Sequence, residues 1–87
     1  MLVVLVEDSA SIAHNLIMNK SYLEKLAKRI KSLRLEKGLT QDDLAVDGIS
    51  RSMISLVEIA KTDITVSKLK IIADSLGLKV KDLFDFE

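Results

Sequence analysis

From Ser21 onward the apolar residues of the chain recur at a helical period. Leu23, Leu26, Ala27, Ile30 and Leu33 fall on one face of a helix, and Gly38 supplies its stop. Ser21 and Glu24 make a capping box that predicts where this helix begins. Thr40 and Asp43 make a second box, with Leu39 and Leu44 at the hydrophobic-staple positions on either side. A second helix is therefore expected from Gln41, ending near Ala45 because Asp47-Gly48 breaks the pattern. Ser50 is suited to cap a third helix, whose inward positions are Ile54 and Val57. Thr65 is suited to cap a fourth, with the stripe Leu69, Ile72, Ala73 and Leu76 and a stop at Gly77. A last turn around Lys81 to Phe84 is expected to tuck Leu83 and Phe84 onto the core. The pattern predicts an all-α bundle of five short helices.

The first twenty residues read differently. Leu2 to Val6 are five consecutive β-prone apolar residues, and the expectation is a strand. A lone strand cannot satisfy its own backbone, so the simplest source of hydrogen bonds is a symmetric partner. The expected organisation is an N-terminal extension over residues 1–19 with a dimerising strand, followed by a domain over residues 20–87. A start at Met18 would remove the extension altogether. The stretch VVLVEDSAS, residues 3–11, is similar to the opening of response-regulator receiver domains, in which a strand delivers an acidic pair to Mg²⁺. Such a domain needs a whole doubly wound sheet, and the remainder of this chain reads as helical. The apolar run is too short to cross a bilayer and lacks the basic segment of a signal peptide, so a cytoplasmic protein without a membrane partner is expected.

Composition narrows the chemistry. Eighty-seven residues suffice for one small domain, and thirteen basic against thirteen acidic side chains leave no net field to draw in nucleic acid. Any such attraction must be local. The absence of cysteine excludes a disulfide framework and a thiolate metal site. His14 stands alone, with no second ligand nearby, which argues against metal binding and general-base work. Asp42 and Asp43 suit the positive end of a helix and Asp47 suits a turn, so none of them reads as a catalytic carboxylate. No cofactor and no enzymatic activity are expected. The basic residues Lys20, Lys25, Lys28, Arg29, Lys31, Arg34 and Lys37 wrap around the first helix, and most of them read as a solvated face.

Two short helices joined by a glycine-containing turn are either a plain corner in a bundle or the device that lays a second helix in the DNA major groove. The groove is about 12 Å wide, close to the width of a helix with its side chains. On spacing alone both readings stand. In the groove-binding reading, the outward residues at the start of the third helix are Arg51 and Ser52, followed one turn on by Ser55 and Leu56. Arg51 alone among them is able to make a bidentate contact to guanine.

The stretch RIKSLRLEKGLTQDDLA...GISRSMISLVE...ITVSKLKIIADSLGL, residues 29 to 78, resembles the phage-repressor and Xre-like helix-turn-helix family. The resemblance implies a sequence-specific transcriptional regulator that acts as a homodimer on a two-fold operator in double-stranded DNA. It also admits an antitoxin or a restriction-modification controller with a protein partner such as a toxin or polymerase, and an interaction module that has lost DNA binding. It places Thr40 and Gln41 beside one phosphate; Ser50 joins the phosphate candidates, and Lys61 and Thr62, just after the third helix, are positioned to hold the next phosphate. It pairs Arg34 with Glu58, and it sets the dimer contact near Leu78 to Phe84, in competition with the strand. Three departures accompany it. Two residues instead of three separate Ala45 from Gly48, Ala60 stands where glycine is frequent, and Leu56 replaces a polar or basic outward residue.

Overall fold

The computed structural model describes residues 2–86, with side chains from Asn19 onward. All regular structure among these residues is helical: α1 (Leu2–Glu36), α2 (Gln41–Leu44), α3 (Arg51–Glu58), α4 (Val66–Ser75) and a closing 3-10 turn, Val80–Phe84.

Two sequence expectations fail in α1. Leu2 to Val6 do not form a strand; they lie in the first turns of this helix, and so do residues 3–11 of the receiver-like stretch. The cause is local. β-branched residues lose at most about 0.7 kcal/mol each in a helix, whereas an unpaired strand leaves its whole backbone unsatisfied. Ser21 and Glu24 do not start a helix either, because the chain arrives there already helical. A capping box permits a start without forcing one, and no proline or glycine precedes Gly38 to break the run. The expected five short helices are therefore one long helix, three short ones and a 3-10 turn.

The other ends are built by local chemistry. Thr40, Ser50 and Thr65 accept hydrogen bonds from the backbone N–H of Asp43, Met53 and Lys68 at 3.2, 3.1 and 3.3 Å. The Asp43 carboxylate accepts in return from the Thr40 N–H at 2.7 Å, and that bond holds its pKa below the ordinary carboxylate value. α1 and α4 end in Schellman turns at Gly38 and Gly77, with φ of +69° and +70°. Leu26, Ile30, Leu33, Leu44, Ile54, Val57, Leu69, Ile72 and Leu83 then meet in one buried cluster drawn from every element. Arg29 closes the bundle by donating to the Asp82 carbonyl at 3.1 Å, and Tyr22 stacks on Phe84 with centroids 6.2 Å apart.

Candidate nucleic-acid interface

α2 is a single turn. Its C-cap is Ala45, and Val46 to Ile49 form a β-turn closed by an Ile49 N–H to Val46 carbonyl bond of 2.9 Å. Gly48 occupies the third position with φ of +91°, which an L side chain resists. Lys68 of α4 donates from Nζ to the Gly48 carbonyl at 2.9 Å and so ties the turn to the bundle. The one-residue departure is absorbed here, by ending α2 at Leu44 and pinning the turn. Sequence reasoning passed over Lys68, because a cation twenty positions away gives no local signal of what it caps.

α3 divides cleanly into two faces. Ile54, Val57 and Glu58 are buried against the bundle, while Arg51, Ser52 and Leu56 are exposed and Ser55 is half-buried. The residues expected at base edges are thus on one surface, and with Gln41 they line one shallow depression. The Arg51 guanidinium lies 3.6 Å from the Asp42 carboxylate, with both side chains largely in water. Such a pair is worth little and releases its arginine readily.

Beneath the depression is a buried ion pair. Arg34 Nε and Nη2 donate to Glu58 Oε2 and Oε1 at 2.7 and 3.0 Å, a fork-to-fork contact that joins α1 to α3. The carboxylate, chiefly through this hydrogen bonding, raises the pKa of Arg34 above its ordinary value. Arg34 Nη1 also donates to the Leu39 carbonyl at 2.8 Å, holding the loop that leads into α2. Gln41 Nε2 donates to Glu58 Oε1 at 3.1 Å. Sequence reasoning did not see this last tie. It fixes the Gln41 amide relative to α3 and leaves a second N–H and the carbonyl oxygen to other partners.

The remaining phosphate candidates divide. Thr40 and Ser50 sit at the starts of α2 and α3 with their hydroxyl oxygens engaged in capping. Lys61 and Thr62 lie past the far end of α3 and do not line the depression; the Thr62 hydroxyl donates to the Asp63 carbonyl at 3.1 Å. Of the basic run along α1 and the turn after it, Arg29 and Arg34 are committed to the bundle, and Lys28, Lys31 and Lys37 are exposed. Among the described residues no group of acidic or histidine side chains is arranged to hold a metal; the His14 side chain is outside them. No helix among them is long and apolar enough to cross a membrane.

The helix-turn-helix family profile matches residues 30–83. The chain belongs to that family. Its Xre-like branch is one of DNA-binding transcriptional regulators, and the matched span takes in the ion pair, both short helices, the pinned turn and α4. Among solved structures this helix-turn-helix protein is similar to the restriction-modification controller protein C.AhdI from Aeromonas hydrophila, with 32% identity and a TM-score of 0.68. The similarity covers 71% of this chain and 96% of the controller. No curated protein sequence matches the chain.

Proposed function

We propose that the protein is a sequence-specific transcriptional regulator of the cytoplasm that binds a two-fold operator in double-stranded DNA as a homodimer. The observation that carries this reading is the shared depression of Gln41, Arg51, Ser52, Ser55 and Leu56, set over a helix whose opposite face is locked into the core. In the complex the start of α3 enters the major groove and Arg51 leaves Asp42 for a guanine edge. Ser52 and Ser55 supply adaptable hydroxyl contacts, and Leu56 meets a thymine methyl. Thr40 and Gln41 lie against one phosphate, Ser50 adds a phosphate contact at the start of α3, and Lys61 and Thr62 meet the next phosphate. With zero net charge, affinity rests on these local contacts more than on a long-range field.

The similarity to a restriction-modification controller supports a narrower form, in which the regulated genes encode a methyltransferase and an endonuclease. Genes next to this one would decide between that circuit and an antitoxin with a toxin partner. The test of DNA reading itself is selection of bound sites from random duplexes, followed by titrations at two salt concentrations. A defined site and a steep salt dependence are expected. Arg51→Ala should then relax preference at one base pair per half-site by about 1 to 3 kcal/mol, and Gln41→Ala should weaken all sequences alike. Uniform weakening by Arg51→Ala with an unchanged site would place Arg51 on phosphate instead. No selection and no salt dependence would leave only a protein-interaction module.

A further inference from the structure

We infer that the N-terminal half of α1 is a dimer interface that packs antiparallel against the same segment of a second copy. This deepens the homodimer of the proposed function and is independent of its DNA contacts. Because α1 is helical from Leu2 to Glu36, the whole segment shares one register. Written as heptads, the first core position carries Leu2, Ser9, Leu16, Leu23 and Ile30, and the second carries Leu5, Ile12, Asn19, Leu26 and Leu33. Leu26, Ile30 and Leu33 are buried in the domain core. The same face therefore continues as a mostly apolar seam through the N-terminal half, with Glu7, Asp8, His14 and Asn15 at the register positions away from it. The helix is about 52 Å long at 1.5 Å per residue. The molecule measures 50 Å along its long axis but only 26 and 19 Å across, so α1 sets its length. α2, α3, α4 and the 3-10 turn place their apolar stripes in the core cluster.

Three observations select the occupant. Residues 1–19 contain no lysine or arginine, and their charges are Glu7 and Asp8, the wrong sign for an anionic membrane surface. An antiparallel copy in the register that sets Ile12 beside Leu16 and Leu5 beside Leu23 also sets Ser9 beside Asn19. Polar then meets polar along a seam that is otherwise apolar. A parallel pair would bring the two acidic pairs level with each other. The antiparallel partner's first turn also arrives where α1 enters the bundle, at a groove of about 510 Å³ lined by Asn19, Leu23, Leu26, Ile64, Leu69 and Phe84. At the C-terminal location Leu83 is fully buried in its own chain and Phe84 stacks on Tyr22, while Leu78, Val80 and Phe84 are half-buried.

The chain has no cysteine, so one introduced thiol is unambiguous. In the antiparallel register Ala13 lies beside its own copy close to the two-fold axis, whereas the two copies of Leu5 lie about 25 Å or more apart along the helices. Ala13→Cys should oxidise to a covalent dimer and Leu5→Cys should not; any other pattern overturns the antiparallel register. Sedimentation without DNA should give a dimer for the full chain and a monomer for the double variant Ile12→Asp, Leu16→Asp. Circular dichroism should show that this variant still melts cooperatively. A double variant that sediments as the full chain does overturns the interface and leaves the dimer to be found elsewhere. A full chain that stays monomeric overturns the interface and the homodimer together, while binding to a selected half-site is read separately.

Discussion

Glu58 leaves only 1% of its side chain to water, and every strong partner it has is a donor: both arms of the Arg34 fork and the Gln41 amide. A buried carboxylate in that position stabilises the fold only while the guanidinium is there, and the reverse holds equally. Glu58→Gln keeps the shape, removes the charge and turns one acceptor into a donor facing Arg34. The expected loss is about 3 to 5 kcal/mol. At about 4 °C or more per kcal/mol for a chain of this size, the thermal midpoint should fall by well over about 10 °C. An unchanged midpoint would mean the pair contributes nothing. Arg34 and Glu58 each directly follow an inward apolar residue of their helix, Leu33 and Val57, at the edge of a buried stripe, but it was the family resemblance that paired them. The tie from Gln41 was not legible. It depends on how closely α2 approaches α3, which no spacing along the chain encodes.

At the scale of elements, the ends of α2, α3 and α4 could be read from the sequence because capping is satisfied within three or four residues. The start of α1 could not, since a cap competes with whatever precedes it and here helix precedes it. α3 ends in a Schellman turn of the same kind as α1 and α4, with Lys61 N–H donating to the Leu56 carbonyl at 2.9 Å, but its left-handed residue is Ala60 at φ +58°. The departure seen in the sequence thus keeps the turn and accepts backbone strain. A left-handed non-glycine residue costs about 1 to 2 kcal/mol, and glycine loses about 0.5 to 1 kcal/mol of that advantage through the freer unfolded chain. Ala60→Gly should therefore raise stability by roughly 0.5 to 1 kcal/mol, measured as a higher urea midpoint at unchanged slope. A lower midpoint would show that the methyl group contributes packing that outweighs the strain.

For the molecule as a whole, the five-part pattern described the bundle but misjudged its longest piece, because apolar runs of five residues do not distinguish strand from helix. The depression on α3 was legible from the outward positions of one short helix; the pinning of its turn by Lys68 required the assembled fold. The unbroken course of α1 has a further consequence, which is one of rotational phase. Arg34, at the base of the reading surface, and the seam at the other end belong to one rod with no joint between them. In the proposed dimer the two reading heads are therefore held at a set angle, as two teeth are held on one shaft. One base pair added between operator half-sites turns one of them by about 35° about the duplex axis, and a jointless protein cannot follow. Affinity for a selected operator should fall at least about tenfold on such an insertion, and equal binding would reveal a hinge. One residue inserted after Asn19 turns the heads against the seam by about 100°. Seven inserted residues bring them back to within about 20°, so the length of this helix is constrained in steps of two turns.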